Sequence, residues 1–235
     1  MGGKEKAGLL GAAAAGLMAY AVRGRSSSLL APSVFKGVRT RRAIALTFDD
    51  GPSEATPGFL DLLASYDAKA TFFQCGVNVR RLPRIARQVF EAGHGIGNHS
   101  DTHPFLHFKS AAFIYRELAT AQQSIYETCG TRPCFFRAPF GVRWFGLRKA
   151  QRDLGLLGVM WTAIGVDWKM PETQILQNVL RGAGNGAILC LHDGRQLAPR
   201  PDVGATLGAL RKLLPVLADR GFHFEKVSEI LCPTI

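Results

Sequence analysis

The sequence predicts a single α/β domain in which helices surround a parallel sheet. From residue 43 onward, short apolar runs alternate with amphipathic segments of helical period. Ionisable residues follow the ends of four of these runs, which places them together at one edge of a parallel sheet. Repeated strand–helix units fit an open doubly wound sheet or a closed barrel, and seven units favour the barrel.

The predicted strands are short, apolar and often aromatic or β-branched. They cover residues 43–48, 70–73, 95–97, 134–136, 158–161, 187–191 and 223–226. The helices between them show periodic apolar spacing, and several begin at a proline or end before a glycine. They cover residues 57–65, 83–92, 111–128, 147–154, 171–180 and 203–220.

Positive charge is concentrated in residues 1–42, which we predict to be a leader preceding a folded domain over residues 43–235. The leader holds eight lysines and arginines against Glu5, so it carries +7 of the chain's net charge of +11. The remaining +4 forms no obvious basic stripe. This distribution argues against DNA or RNA as a partner, because nucleic acids require clustered positive charge on the folded surface.

An uncharged stretch rich in alanine and glycine covers residues 7–22 of the leader. A spanning helix needs roughly 20 apolar residues, so this shorter stretch predicts a weak membrane anchor or the apolar part of an export signal. The sequence Ala19-Tyr20-Ala21 resembles a signal cleavage site, whereas Arg23 and Arg25 favour retention on the cytoplasmic side. We expect membrane association through residues 7–22 and the flanking basic residues, and the compartment stays open.

Two adjacent carboxylates, Asp49 and Asp50, end the first apolar run of the domain. Neighbouring carboxylates raise one pKa unless a cation is shared, so the pair predicts a metal ion, an arginine or both. The segment His99-Ser100-Asp101-Thr102-His103 fits a metal site, because imidazoles four residues apart on a helical turn can bind one ion. Asp50 is the natural third ligand, and such a site keeps an open position for water.

Three further residues fit hydrolysis at such a metal. Zinc held by two histidines and a carboxylate polarises a carbonyl and lowers the pKa of water toward ~7. Asp49 can act as the base if Arg137 keeps it ionised and aimed. His192 follows the most hydrophobic strand and can protonate a leaving amine if Asp167 raises its pKa. The ligand types favour Zn²⁺, with Co²⁺ or Mn²⁺ as alternatives.

Five motifs, in this order, resemble the polysaccharide deacetylases, carbohydrate esterase family 4, which share the chitooligosaccharide deacetylase homology domain. The motifs are Thr47-Phe48-Asp49-Asp50-Gly51, His99-Ser100-Asp101-Thr102-His103, Arg137-Ala138-Pro139-Phe140, Asp167-Trp168 and Leu189-Cys190-Leu191-His192. The resemblance runs from about residue 42 to residue 231. One departure is that the segment 161–168 lacks the additional aspartate that the family often has before Asp-Trp.

The resemblance implies a distorted (β/α)7 barrel, similar to a TIM barrel, with its active site at the C-terminal ends of the strands. It implies removal of an acetyl group from an N-acetylated sugar with a divalent metal. The implied catalytic residues are Asp49 as base, Arg137 as its partner, His192 as acid and Asp167 as its support, and the implied metal ligands are Asp50, His99 and His103. The implied substrate contacts are the backbone N–H of Phe140 in an oxyanion hole and the side chains of Trp168 and Leu191 around the acetyl methyl.

Several functions remain open at this stage. The substrate can be peptidoglycan, a chitin-like oligomer or a lipid-linked sugar. The same chemistry also serves an O-acetyl esterase or a deformylase, because all three reactions pass through a similar tetrahedral intermediate. A non-catalytic carbohydrate-binding barrel is the alternative from another class, since a fold does not guarantee activity. The sequence does not indicate an oligomeric state.

Overall fold

The computed structural model describes residues 3–232 and contains a curled sheet of parallel strands flanked by helices. The strands are β1 Ser33–Val34, β2 Ala43–Asp49, β3 Ala70–Gln74, β4 Gly95–Asn98, β5 Phe135–Phe136, β6 Leu157–Val159, β7 Ala163–Ile164, β8 Ala187–His192 and β9 His223–Phe224. The helices are α1 Gly3–Arg23, α2 Thr56–Ala64, α3 Gly76–Arg81, α4 Pro83–Glu91, α5 Ala111–Cys129, α6 Leu147–Asp153, α7 Glu172–Arg181, α8 Gly204–Asp219 and α9 Val227–Ile230. A short 3₁₀ turn covers Pro139–Gly141.

The strand order β1-β6-β5-β4-β3-β2-β8-β7, with β9 beside β2, is that of a distorted barrel. Within residues 3–232 the end strands β1 and β7 do not pair with each other. The chain after β1 instead reaches the far side of the sheet, where Lys36 forms a bridge to Ala187 of β8. The predicted barrel is therefore confirmed, and its closure is irregular.

Strand β2 lies near the middle of the sheet and is buried along its whole length. It pairs with β3 on one side and β8 on the other, which explains why its sequence is a continuous apolar run rather than an alternating one. The rings of Phe48 and Phe72 stack at 5.0 Å, and Phe59 of α2 meets Phe48 edge-on. This packing fixes the C-terminal end of β2, where the register places Asp49 beside His192.

All seven predicted strands and all six predicted helices are present, with ends that differ by two residues or fewer. The sequence did not predict β1, β7, α1, α3 or α9. Strand β1 lies inside the predicted leader, yet it pairs with β6. Among the described helices, none combines the length and hydropathy needed to cross a bilayer. Membrane association through residues 7–22 stays a prediction.

Candidate active site

Three potential metal ligands converge at the C-terminal ends of β2 and β4; we call Asp50, His99 and His103 the metal triad. Asp50 directly follows β2, and the two histidines lie in the segment after β4. Oδ1 of Asp50 is 3.2 Å from Nε2 of His99 and 3.0 Å from Nε2 of His103. Asp50 and His103 have positive φ angles of 71° and 54°, so sharp backbone turns aim these side chains at a common point.

The hydrogen bonding of His99 indicates that a cation fits between these ligands. Nδ1 of His99 is 2.8 Å from the carbonyl oxygen of Arg137, and a carbonyl only accepts, so Nδ1 carries the proton. Nε2 is then the ring atom that faces Oδ1 of Asp50, and without a proton of its own it can offer a lone pair to a cation. Among the described residues this buried oxygen receives no hydrogen bond of acceptable geometry. Two acceptors that face each other suit a shared metal ion, with the carbonyl fixing the tautomer of the ligand.

The carboxyl of Asp50 is ionised although it is buried. Burial raises its pKa, but the contacts with His103 and His99 outweigh burial and hold the pKa well below its ordinary value. Oδ2 of Asp50 accepts a hydrogen bond of 2.6 Å from the backbone N–H of Gln196. The backbone oxygen of Asp50 accepts another of 2.8 Å from the side-chain amide of Asn78. The ligand is thus charged and held from two sides.

Asp49 is paired with Arg137, whose side chain has no exposed surface. Nη1 of Arg137 donates to Oδ1 of Asp49 over 2.6 Å, and Nε donates to the carbonyl oxygen of Val159 over 3.0 Å. The guanidinium also lies over the ring of Phe73, 4.2 Å from its centroid. Because Arg137 is fixed on several sides, it fixes the plane of the Asp49 carboxylate and leaves Oδ2 on the side away from the guanidinium.

A second group of potential ligands, Asp49, Cys190 and His192, also lies within 4.8 Å. Two features oppose a cation there. Arg137 already places a positive charge on Asp49, and burial raises the pKa of the Cys190 thiol well above its ordinary value, so the sulfur stays protonated. The thiol donates a weak hydrogen bond to Oδ2 of Asp49 at 3.4 Å. The metal triad is therefore the better cation site.

His192 forms a two-point contact with Asp167. Its Nδ1 is 2.8 Å from Oδ1 of Asp167, and its backbone N–H donates to Oδ2 over 2.8 Å. Thr206 donates a further hydrogen bond to Oδ2 over 3.0 Å. Burial alone lowers the pKa of His192, but the charge and hydrogen bond of Asp167, together with the charges of Asp50 and Asp49, outweigh burial and raise this pKa to about 10. The imidazole is thus a protonated acid whose Nε2 is directed away from Asp167.

The metal triad, Asp49, Asp167 and His192 line one open pocket of about 540 Å³, a size typical of ligand clefts. Phe140 and Trp168 also line it, and their predicted contacts with the substrate stay predictions. The ring of Phe140 stacks on Phe105 at 3.7 Å and meets His103 edge-on at 4.6 Å. Leu191 does not line the pocket. It is only 1% exposed and belongs to the hydrophobic core.

The sequence model of the family described as polysaccharide deacetylase matches residues 36–159, more than half of the chain. The chain belongs to the polysaccharide deacetylase family. This confirms the resemblance carried by the five motifs. Curated relatives in the family are named as deacetylases of peptidoglycan N-acetylglucosamine or of chitooligosaccharides, which are hydrolases of carbon–nitrogen bonds in N-acetylated sugars.

Two relatives are named peptidoglycan-N-acetylglucosamine deacetylases. PgdA of Listeria monocytogenes is 34% identical over 206 residues, which cover 87% of this chain and 42% of the relative. The chain therefore spans less than half the length of that relative. A protein of Bacillus cereus is 36% identical over 194 residues, which cover 81% of this chain and 88% of the relative.

Two solved structures of the family have the same fold. A peptidoglycan N-acetylglucosamine deacetylase bound to an N-oxidanyl-benzamide superposes with a TM-score of 0.78 and 30% identity, covering 83% of this chain and 91% of that chain. A Bacillus anthracis protein described as a pseudoenzyme of carbohydrate esterase family 4 superposes with a TM-score of 0.77 and 28% identity, covering 86% of this chain and 69% of that chain. Membership of the polysaccharide deacetylase family therefore includes a protein described as a pseudoenzyme.

Sequence reasoning missed four supporting residues of this polysaccharide deacetylase site. Gln196 and Asn78 hold Asp50, Thr206 holds Asp167, and Cys190 contacts Asp49. Three of them lie outside the five motifs, and their side-chain types are ordinary for loops and helix ends. Cys190 lies inside the fifth motif, but its residue type gave no reason to place it against a carboxylate.

Proposed function

We propose that this protein is a metal-dependent hydrolase that removes the acetyl group from an N-acetylated amino sugar. The observation that carries the proposal is the placement of a base and an acid beside the metal triad. A carboxylate oxygen of Asp49 and a ring nitrogen of His192 lie within 4.8 Å of each other, and both residues line the same pocket as the metal triad.

Asp49 and His192 divide the proton transfers of amide hydrolysis between them. A divalent cation held by Asp50, His99 and His103 supplies Lewis acidity toward water and the acetyl carbonyl. Asp49 takes the proton of the attacking water on Oδ2, the oxygen that faces away from Arg137. His192 gives its Nε2 proton to the departing nitrogen, so that the carbon–nitrogen bond breaks to a free amine and acetate. Asp167 stabilises the imidazolium before this transfer.

The cation is proposed to be Zn²⁺, because two imidazoles and one carboxylate in an open site suit that ion, with Co²⁺ or Mn²⁺ as alternatives. The names of the two relatives support N-acetylglucosamine in peptidoglycan as the first substrate to test. Chitin-like oligomers and lipid-linked sugars belong to the same proposal, since the proposed proton transfers involve only the acetamide group that all these substrates share.

The pseudoenzyme among the solved structures makes a non-catalytic carbohydrate-binding barrel the second candidate. Here the proposed base, acid and metal triad are all present and each is supported by buried neighbours. Complete constellations with perturbed pKa values are typical of working sites, so catalysis is the better supported function.

Acetate release from N-acetylglucosamine oligomers and from peptidoglycan glycans tests the proposal. Asp49→Asn should lower kcat by about 10²–10⁴-fold, because it removes the base and keeps the shape. Asp61→Asn, on the exposed face of α2, is the matched control and should keep wild-type activity. Parallel assays with O-acetylated and N-formylated sugars separate deacetylation from esterase and deformylase activity. Undiminished acetate release by Asp49→Asn would contradict the role of this residue.

A further inference from the structure

Arg23, the last residue of α1, lines the active-site pocket although it lies far outside the five motifs. Its side chain is exposed. Among the interactions of residues 3–232, no hydrogen bond or ion pair engages its guanidinium. Arg195 lines the same pocket but donates to the carbonyl oxygen of Asp167 at 3.4 Å. Arg23 thus brings a positive charge to the pocket without a partner from the described chain.

The segment that carries Arg23 is fastened to the barrel. Arg143 is 2% exposed, and its guanidinium donates to the carbonyl oxygens of Gly24 and Ser27, the latter over 2.6 Å. The backbone N–H of Arg143 donates to the carbonyl oxygen of Val22 over 3.0 Å. The side chain of Arg25 donates to the carbonyl oxygen of Thr162. These contacts on both sides of Arg23 fix its backbone at the pocket wall.

The carboxylates that line the pocket are all engaged elsewhere. Asp49 is paired with Arg137, Asp50 faces the histidines of the metal triad, and Asp167 holds His192. Because each of these carboxylates already has another partner, the guanidinium of Arg23 can pair with an anionic ligand. Guanidinium groups favour carboxylate and phosphate oxygens.

We propose that Arg23 binds an anionic group of the substrate, a carboxylate or a phosphate carried next to the acetylated sugar. The inference rests on the proposed function and narrows it, because it selects charged glycans over neutral oligomers. Two sources can supply the anion. One is a carboxylate on a neighbouring sugar, as in a muramic acid residue, and the other is a phosphate attached to the sugar itself.

The test is equilibrium binding by calorimetry, with Asp49→Asn as the background so that ligands are not turned over. The ligands are a neutral N-acetylglucosamine disaccharide, a disaccharide of the same length containing muramic acid, and a nucleotide-linked N-acetylglucosamine. Arg23→Gln should lower the affinity for one or both anionic ligands about tenfold and leave the affinity for the neutral ligand unchanged. Arg23→Lys should recover part of the loss. Arg39→Gln removes an equal charge from an exposed site outside the pocket and should change none of the three affinities.

The outcomes separate this inference from the proposed function. A loss confined to the muramic acid ligand assigns the carboxylate, and a loss confined to the nucleotide-linked sugar assigns the phosphate. Equal affinities for Arg23→Gln and its parent, or equal losses for neutral and anionic ligands, would overturn the role of Arg23. Failure of the wild-type protein to release acetate from every substrate would instead contradict the proposed function, and the binding comparison would still decide the role of Arg23.

Discussion

Nη1 of Arg137 lies 2.6 Å from Oδ1 of Asp49, and neither side chain is more than 4% exposed. Removing one partner of a buried charge pair destabilises a protein, because the remaining charge keeps its desolvation penalty without the compensating attraction. The same contact that orients the proposed base therefore also stabilises the fold. The two roles can be measured separately.

Arg137→Met should destabilise the protein and reduce activity. The substitution leaves the Asp49 carboxylate buried without its partner, so we expect a loss of about 3–5 kcal/mol in the free energy of unfolding, measured by urea denaturation. The matched control is Arg200→Met. Arg200 is 81% exposed in its pair with Glu54, and exposed pairs contribute only about 0–1 kcal/mol. A similar loss for both variants would contradict the buried role of Arg137.

Asp167→Asn should move the alkaline limb of the pH–rate profile to lower pH. In the proposed mechanism the acid form of His192 is the active one, so activity should fall as pH rises through its pKa, which Asp167 helps to raise to about 10. Asp167→Asn removes the main group that counteracts burial, so the pKa of His192 should fall. The measurement is kcat/KM against pH, with the exposed Asp219→Asn as control. An alkaline limb that stays in place would show that His192 does not set it.

Zinc should raise the melting temperature of metal-free protein through the metal triad. At a hundredfold excess over its dissociation constant, a ligand that binds only the folded state adds about 2.7 kcal/mol to the free energy of unfolding. His103→Gln should lose most of this shift, because it removes one of three ligands. His107→Gln changes a histidine of the same loop that lies outside the metal triad, so it should keep the shift. Equal shifts in both variants would place the zinc elsewhere.

The chain's local patterns predict the elements better than they predict the contacts. Strand β2 and the charged residues at its end follow from an apolar run that stops at Asp49, and that signal lies within a few residues. The hydrogen bond from the backbone N–H of Gln196 to Asp50 comes from a loop 146 residues away in sequence, so no local pattern predicts it. Strand β1 has two residues, too few for periodicity to register. The position of Arg23 in the pocket also has no local sequence signal, because it depends on contacts between its neighbours and the distant Arg143.

His94 provides a test of stability against pH that is independent of the metal triad. Its ring is buried, and burial, with smaller contributions from the charges of Lys69 and Lys226, lowers its pKa to about 4. In the unfolded chain a histidine has a pKa near 6.5, so below that pH the unfolded state binds a proton that the folded state rejects. The stability contributed by neutral His94 is therefore complete above pH ~6.5 and is lost as pH falls through about 4. The difference of pKa corresponds to roughly 3 kcal/mol.

His94→Asn should flatten this part of the pH dependence. The backbone N–H of Ala70 donates to Nδ1 of His94 over 3.2 Å, and the asparagine oxygen can accept the same hydrogen bond without titrating. Urea denaturation at intervals between pH 7 and pH 4 should therefore show a smaller loss of stability for this variant than for the wild type. His223→Asn replaces an exposed histidine of β9 and should keep the wild-type slope. Protonating His94 should cost stability because its ring is buried against Phe72. Parallel curves of stability against pH for all three proteins would contradict this cost.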